Sequence, residues 1–347
     1  MTAAARLSRG DAARVLIVDD SLVARSVLAR MIDADPRLQV IAAVASAEKA
    51  RSLLQHQPVD LIVLDLEMPG EGGLDALPAL LDAGAGARVL VVSSACDAGA
   101  AATVRALSLG AADTLVKPGV GNFAGQFATT LNDKLVRLAE CPRASTDAPH
   151  TATGHFGVVA IGGSTGGIHA LSDLLRAIGP AMGQPILITQ HLPSTFSPYF
   201  AAQLTLLAGR PCDVASDHMR VRPGRIVIAP GDAHLVVTAL SGGGVGIRLS
   251  TAPAASGCLP SVDPMFASVA ELYRSTALAV MLSGMGRDGL VGAEAVRAAG
   301  GAIVVQDRAS SVVWGMPGAV AAAGLASATL TPDAIGRLIA GGRKPAW

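Results

Sequence analysis

The chain has 347 residues, more than one hydrophobic core usually serves, so its length predicts two domains. Hydrophobic residues make up 51% of it and charged residues only 16%, which excludes a disordered chain. Basic and acidic residues number 27 each, which leaves no basic excess to neutralise a phosphate backbone, so we expect no nucleic-acid partner.

Cysteine content and hydropathy predict where the protein resides. The four cysteines are too few and too widely spaced for a disulfide framework, and residues 1–14 lack the apolar segment of a secretory signal. Residues 309–332 carry no charge, but their glycines, prolines and small side chains argue against a membrane-spanning helix. We therefore expect a cytoplasmic protein that does not insert into a membrane.

The N-terminal part alternates short apolar runs with segments of helical spacing. Strands are predicted at 14–18, 38–44, 61–64, 88–92 and 114–116. Helices are predicted between them, for example at 22–32 and 46–55, and a closing helix at 122–138. This alternation predicts a doubly wound α/β domain with a five-stranded parallel sheet, which in the flavodoxin-like form has the order 2-1-3-4-5.

Residues 140–154 collect proline, serine and threonine without an apolar period, which is typical of a linker. We place a first domain at 1–138, the linker at 139–154 and a second domain at 155–347. Further strands are predicted at 157–161, 185–190, 277–282 and 302–306. Residues 225–249 contain three short strands between tight turns, so we expect a small antiparallel insertion in a second doubly wound α/β domain.

Polar side chains follow four of the five N-terminal strands: Asp19 and Asp20, Asp65, Ser93 and Lys117. The first and third strands are neighbours in this order, so three carboxylates meet there and repel one another unless a cation such as Mg²⁺ lies among them. Asp65 can then accept a phosphoryl group, whose oxygens Lys117 and the Ser93 hydroxyl bind. Singly, each aspartate could merely cap a helix or end a strand; together they predict a phosphoryl-acceptor site.

Residues 12–138 resemble a response-regulator receiver domain. The resemblance rests on VDDS at 18–21, LDLEMPG at 64–70, SS at 93–94 and KP at 117–118. It implies that Asp65 is the phosphorylation site, that Asp19 and Asp20 bind Mg²⁺, and that the backbone carbonyl of Glu67 completes the metal site. It also implies a histidine kinase as donor and a cis bond between residues 117 and 118. Thr114 stands where receivers commonly carry an aromatic residue, so the usual aromatic rearrangement is not implied.

A second set of reactive residues follows the C-terminal strands. The strand at 157–161 leads into GGSTGG, which fits G-x-S-x-G with Ser164 at its centre. A dinucleotide site fails on spacing, because a serine takes the second required glycine position and no acidic residue follows about 20 residues on. His191 and Asp288 also follow strands, and they supply the base and the orienting acid that a serine nucleophile needs. Each could instead be a helix cap or a strand-end residue. The other histidines have no zinc-motif spacing and are assigned no role.

The C-terminal half resembles the protein-glutamate methylesterase domain of bacterial chemotaxis across nearly all of 155–342. The matching segments are IGGSTGG at 161–167, QHLP at 190–193, IAPGDAH at 228–234, PSVD at 260–263, GMGRDG at 284–289 and GMP at 315–317. The resemblance implies Ser164 as nucleophile, His191 as base and Asp288 as its partner. It adds the backbone amide of Met285 as an oxyanion donor. Leu259 stands where many relatives carry arginine, so substrate recognition is expected to differ.

A receiver joined to this domain is the architecture of the chemotaxis response regulator methylesterases, which the whole chain resembles. The resemblance implies hydrolysis of glutamate methyl esters on chemoreceptors, deamidation of receptor glutamines, control by phosphorylation, and no cofactor for the esterase chemistry. Two alternatives remain open. A non-catalytic adaptor would not need the complete serine, histidine and aspartate set, and a metabolic esterase for small molecules would not need a receiver.

Overall fold

The computed structural model describes residues 12–93, 97–117, 124–140, 154–342 and 345. The chain divides into two compact units, Met1–Pro142 and Arg143–Trp347. The predicted linker falls almost wholly outside the described ranges, so its boundaries stay a prediction. Within those ranges, no helix combines the length and the apolar character needed to cross a membrane.

The first unit is built on a five-stranded parallel sheet in the order β2-β1-β3-β4-β5, which confirms the predicted fold. Its strands are β1 Ala13–Val18, β2 Leu38–Val44, β3 Leu61–Asp65, β4 Arg88–Ser93 and β5 Asp113–Val116. Its helices are α1 Leu22–Ile32, α2 Ala47–Leu54, α3 Gly73–Ala83, α4 Asp97–Ser108 and α5 Ala124–Glu140.

Side-chain chemistry explains where these elements begin and end. Every residue of β3 is buried, as in parallel strands that are covered on both faces, and this is why its sequence is a continuous apolar run. Ser21 caps α1 by accepting a hydrogen bond from the amide of Ala24, and Ser46 caps α2 in the same way. In the sheet, Val18 lies opposite Leu64, so the residues that follow β1 and β3 emerge side by side.

The second unit is built on a seven-stranded parallel sheet in the order β14-β13-β12-β6-β7-β9-β8, with a separate antiparallel hairpin of β10 and β11. The strands are β6 Val158–Gly163, β7 Ile186–Gln190, β8 Cys212–Val214, β9 Ile226–Ile228, β10 His234–Ala239, β11 Val245–Ser250, β12 Ala277–Met281, β13 Ala302–Gln306 and β14 Ala328–Leu330. The helices are α6 Gly167–Ile178, α7 Ser197–Ala208, α8 Val262–Tyr273, α9 Leu290–Ala298, α10 Met316–Ala322 and α11 Pro332–Ala340. Short 3₁₀ turns occupy Ser194–Phe196 and Arg274–Thr276.

The predicted doubly wound domain with a small antiparallel insertion is confirmed, but the extent of the insertion was wrong. The first of its three predicted strands is β9, which pairs in parallel with β7 and β8 and belongs to the main sheet. A short apolar run between turns has the same pattern in a parallel sheet as in an antiparallel hairpin. Periodicity therefore could not show to which of the two this strand belongs. Strands β8 and β14 were not predicted, since each is only three residues long.

The connections of the second sheet determine where its ligand crevice lies. Strand β6 pairs with β7 on one side and with β12 on the other. The chain therefore leaves β6 toward one half of the sheet and returns later to build the other half. In an open parallel sheet, ligands bind at the carboxyl ends of the strands where the order reverses, and here that position is the end of β6.

Candidate functional site

Ser164 follows β6 directly, in a turn held by main-chain bonds. Its amide donates to the carbonyl of Ser283 at 3.0 Å, and its carbonyl accepts from Gln190 Nε2 at 2.8 Å. Gly166 completes the turn with a φ of 76° and leaves no room for a side chain, since an added Cβ would lie 2.4 Å from Val312 Cβ. Ser164 is therefore fixed, half-buried, at the carboxyl end of the central strand.

Two backbone segments lie close to Ser164. Helix α6 begins three residues later, and the amide of its first residue, Gly167, donates to the Ser164 carbonyl at 2.8 Å. The main chain at Gly284 packs against Ser164, because a Cβ placed there would be 3.0 Å from Ser164 Cβ. Met285 follows Gly284 and is half-buried. The predicted oxyanion donor thus belongs to a loop that packs against the serine, and its role stays a prediction.

His191 and Asp288 meet in a direct hydrogen bond. His191 follows β7, and its amide donates to the carbonyl of Gly163, which ends β6. Its Nε2 lies 2.7 Å from Asp288 Oδ2, and the Asp288 side chain is only 1% exposed. Within the described part of the chain, no hydrogen bond joins the Ser164 hydroxyl to the imidazole. Such a bond often tightens only when substrate binds, so the serine-to-histidine step stays a prediction.

Three donors surround the Asp288 carboxylate. Ser261 Oγ donates to Oδ1 at 2.5 Å, while the amide of Val262 and the imidazole of His191 bind Oδ2. Burial by itself would raise the pKa of Asp288, but these hydrogen bonds outweigh it and hold the pKa well below its usual value. The group therefore carries a negative charge that can stabilise a protonated His191.

Two residues behind Asp288, Ser261 and His234, were not predicted as part of the site. Ser261 donates its amide to Nδ1 of His234 at 2.8 Å, and Nε2 of that imidazole lies 2.9 Å from the carbonyl of Ala252. His234 is 1% exposed, and these partners require a neutral ring with its proton on Nε2. Ser261 stands in the PSVD segment and also caps α8, so by its pattern it looked like an ordinary helix cap. Only the fold connects His234 through Ser261 to the carboxylate.

Asp263, next to this network, should make stability depend on pH. Burial and the charge of Asp288 raise its pKa from 3.8 to about 6, although the amide of Gly292 donates to it. As the pH rises from 3.8 to about 6, the folded state therefore keeps a proton on Asp263 that the unfolded state has already released. The stability that this proton confers is full below pH 3.8 and is lost as the pH rises through about 6.

Asp263→Asn mimics the neutral acid and can still accept from Gly292. We expect it to have a higher Tm than the wild type at about pH 8, with a smaller difference at about pH 5, in thermal unfolding at both pH values. Asp232→Asn, which changes an exposed acid of the same unit, serves as the control. A difference that is the same at both pH values would contradict the assignment.

The predicted phosphoryl-acceptor residues meet in the first unit. Oxygens of Asp19, Asp20 and Asp65 lie within 4.8 Å of one another. Lys117 Nζ lies 2.6 Å from Asp65 Oδ2 and 3.3 Å from Asp19 Oδ2. Burial raises the pKa of Asp65 in spite of the hydrogen bonds from Lys117 and from the amide of Glu67. A cluster of carboxylate oxygens of this kind fits Mg²⁺, which binds hard oxygen ligands and would favour the ionised form of each carboxylate.

The remaining predicted receiver residues have different surroundings. Ser93 is fully buried at the end of β4, and its hydroxyl is 2.7 Å from Thr103 Oγ1 of α4. The amide of Glu67 donates to Asp65 Oδ1 at 3.2 Å, while its carbonyl as a metal ligand stays a prediction. The hydroxyl of Thr114 on β5 is buried and has no hydrogen-bond partner within the described ranges. Residue 118 lies outside those ranges, and so does the predicted cis bond.

Known proteins match both units. The family model for the CheB methylesterase matches residues 159–339, and that for the response regulator receiver domain matches residues 15–122. A protein-glutamate methylesterase/protein-glutamine glutaminase of Azospirillum brasilense is 40% identical over 95% of this chain and 92% of its own length. A relative from Caulobacter vibrioides, named protein-glutamate methylesterase/protein-glutamine glutaminase 2, is 40% identical over 94% of this chain and 98% of its own length.

Among solved structures, the Thermotoga maritima CheB methylesterase catalytic domain is 34% identical and superposes with a TM-score of 0.52. The superposition covers 54% of this chain and 98% of the Thermotoga maritima domain, as expected for a structure of the catalytic domain alone. These matches confirm the resemblance that the sequence motifs indicated. The chain belongs to the CheB methylesterase family, with a response regulator receiver domain ahead of its methylesterase domain.

Proposed function

We propose that this protein hydrolyses glutamate methyl esters on chemoreceptors in the cytoplasm, releasing methanol, and that phosphorylation of its receiver controls the rate. The observation that carries the proposal is the 2.7 Å bond between His191 and the buried Asp288, beside the turn that bears Ser164. A base paired with an ionised acid, at the same sheet edge as a serine in a glycine turn, suits acyl transfer.

The hydrogen bond to Asp288 identifies which nitrogen of His191 is the base. A neutral imidazole carries one proton and one lone pair. When the Nε2 proton is donated to Asp288, the lone pair is on Nδ1, and Nδ1 takes the proton of Ser164 as the hydroxyl attacks the ester carbonyl. The backbone amide of Met285, on the loop that packs against the serine, is the proposed donor to the oxyanion. His191 then gives its proton to the departing methoxide, and methanol leaves.

Water completes the reaction in a second half. The acyl-enzyme on Ser164 is attacked by a water molecule whose proton passes to His191, and the serine leaves with that proton. Asp288 remains ionised throughout and stabilises the imidazolium in both halves. Side chains and a backbone amide of the second unit carry every proposed step, so the proposed esterase chemistry needs no cofactor.

Deamidation of receptor glutamines is the second proposed activity. It follows the same tetrahedral route, with an amide nitrogen in place of the methoxide, and the names of the relatives include protein-glutamine glutaminase. Ammonia is the poorer leaving group, because His191 must protonate the nitrogen before the bond breaks. We expect deamidation to be the slower of the two reactions.

Methanol release from membranes that contain methylated chemoreceptors tests the proposed function. An active esterase releases methanol and leaves glutamate at the methylated positions. A non-catalytic adaptor would release none. A metabolic esterase would cleave small methyl esters and leave the receptors methylated. Either of the last two outcomes would refute the proposal.

Phosphorylation should occur on Asp65. We expect acetyl phosphate with Mg²⁺ to transfer one phosphoryl group to its carboxylate and release acetate. Lys117 would turn from the carboxylate to the new phosphoryl oxygens. In the cell we propose a histidine kinase as donor. Intact-protein mass spectrometry should find one added phosphoryl group on the wild type and on Asp75→Asn, an exposed control, but none on Asp65→Asn. Equal labelling of Asp65→Asn would overturn the assignment.

Regulation is expected to act through access to the active site. If the unphosphorylated receiver blocks the site, a fragment that begins near Gly154 should release methanol faster than the unphosphorylated full chain. Phosphorylation should bring the full chain toward the rate of the fragment, and Asp65→Asn should not respond. A fragment no faster than the unphosphorylated chain would refute the blocking role. A phosphorylated chain faster than the fragment would instead indicate an added receptor contact.

A further inference from the structure

Cys258 lies beside the His191–Asp288 pair. A ring nitrogen of His191, the sulfur of Cys258 and a carboxylate oxygen of Asp288 all lie within 4.8 Å of one another. Cys258 is half-buried and precedes Leu259 and Pro260, which lead into the Ser261 that holds Asp288. The segment 258–261 thus places a thiol near His191 and, through Ser261, hydrogen-bonds the Asp288 carboxylate.

These three atoms form a donor set that suits zinc. Zinc binds cysteine sulfur at about 2.3 Å, histidine nitrogen at about 2.0–2.1 Å and carboxylate oxygen at about 2.0–2.2 Å, with tetrahedral geometry. In such a site the donor atoms are roughly 3.3–3.7 Å apart. His191 Nε2 and Asp288 Oδ2, now 2.7 Å apart, would separate by less than about 1 Å. The Cys258 sulfur, within 4.8 Å of both residues, would need only a small shift. Residues 255–257, which precede Cys258, are exposed to solvent, whereas Asp288 is buried and held by Ser261 and Val262. Partners of this kind orient a ligating carboxylate.

We propose that His191, Cys258 and Asp288 form a site for a divalent ion of the zinc type, and that the bound ion blocks the esterase. The Cys258 thiol releases its proton to solvent and binds as thiolate. His191 stays neutral and binds through one nitrogen, and its hydrogen bond with Asp288 gives way to two bonds to the metal. Three protein ligands leave the fourth position to water.

Inhibition follows from the single lone pair of a neutral imidazole. If the metal binds Nδ1, that lone pair is occupied. If it binds Nε2, the ring proton moves to Nδ1, which then cannot accept the proton of Ser164. In both cases Ser164 loses its base. This part of the inference rests on the proposed function, whereas the metal binding itself does not.

Ligand type separates this site from the receiver cluster. Asp19, Asp20 and Asp65 offer only oxygen, which suits Mg²⁺. Sulfur and nitrogen donors favour zinc, cobalt and copper over Mg²⁺. An excess of Mg²⁺ should therefore compete only weakly with these ions for the site. The chain would therefore carry two cation sites of different chemistry, one for the phosphoryl transfer and one that opposes the esterase.

Cobalt binding tests the site without reference to activity. The full-length protein, kept reduced and in excess Mg²⁺, is titrated with Co²⁺, and we expect a thiolate-to-cobalt charge-transfer band. Cys258→Ala should lose this band. Cys212→Ala should keep it, because Cys212 lies in β8 and is also a half-buried free thiol. No band in the wild type, or its survival in Cys258→Ala, would overturn the site.

Zinc inhibition tests the consequence. Methanol release is measured with and without Zn²⁺, and each variant is compared with its own metal-free rate. The loss of an outer-shell partner alone costs about 10–100-fold in metal affinity, so Cys258→Ala should need at least about tenfold more Zn²⁺ for half-inhibition than the wild type or Cys212→Ala. Equal sensitivity of the three proteins would refute the inhibitory role. If the wild type released no methanol even without added metal, but showed the cobalt band in the titration, the proposed function would be refuted. The metal site would then still be supported.

Discussion

Replacing Ser164 with alanine is expected to lower kcat for methanol release by about 10⁶-fold, the loss seen when a serine nucleophile is removed from an intact triad. The change deletes one hydroxyl, and no covalent acyl-enzyme can then form. The main-chain bonds of residue 164 to Ser283 and Gln190 do not involve the hydroxyl, so the turn should keep its shape. The measurement is single-turnover methanol release from methylated receptor membranes.

Two controls separate lost chemistry from lost folding in this variant. Ser241→Ala changes an exposed serine in the turn between β10 and β11 and should retain the wild-type rate. Thermal unfolding of Ser164→Ala should match the wild type closely. If Ser164→Ala released methanol at a rate close to that of the wild type, Ser164 would not be the nucleophile and the proposed mechanism would fail.

Replacing Asp288 with asparagine is the second large effect, with an expected fall in kcat of about 10⁴-fold. Asparagine has no negative charge to stabilise the imidazolium. Its amide group can also donate to His191 Nε2, which would place the ring proton on Nδ1 and leave no lone pair for Ser164. Methanol release at saturating receptor concentration measures the change in kcat.

Ser261→Ala provides a graded comparison for Asp288→Asn. It removes one of the three donors to the carboxylate and leaves the bonds from His191 and Val262 in place. A single lost hydrogen bond to a charged group is worth about 1.5–3 kcal/mol, so we expect a fall in kcat of about 10- to 100-fold, less than the loss of the charge itself. If Asp288→Asn retained activity similar to that of Ser261→Ala, Asp288 would not be the residue that orients the base.

Much of the fold was predictable because local sequence and tertiary environment agree. The buried parallel strands of both sheets are continuous apolar runs, and they end at polar residues such as Asp65 and Gln190 beside the two candidate sites. Strand β9 was assigned to the wrong sheet because a three-residue run contains no information on its pairing partner. Hydrogen bonds between strands that are distant in sequence decide that partner.

The sequence by itself determined the two-domain α/β architecture, the family, and the residue types of both candidate sites. It did so because periodicity and short motifs are local properties of a chain. Only the tertiary structure decided which side chains meet: it joined His191 to Asp288, placed Ser261 and His234 behind the carboxylate, and brought Cys258 to the same place. These residues come from separate segments that pack together at the carboxyl end of one sheet. Their contacts arise from packing and long-range hydrogen bonding, which no spacing along the chain records.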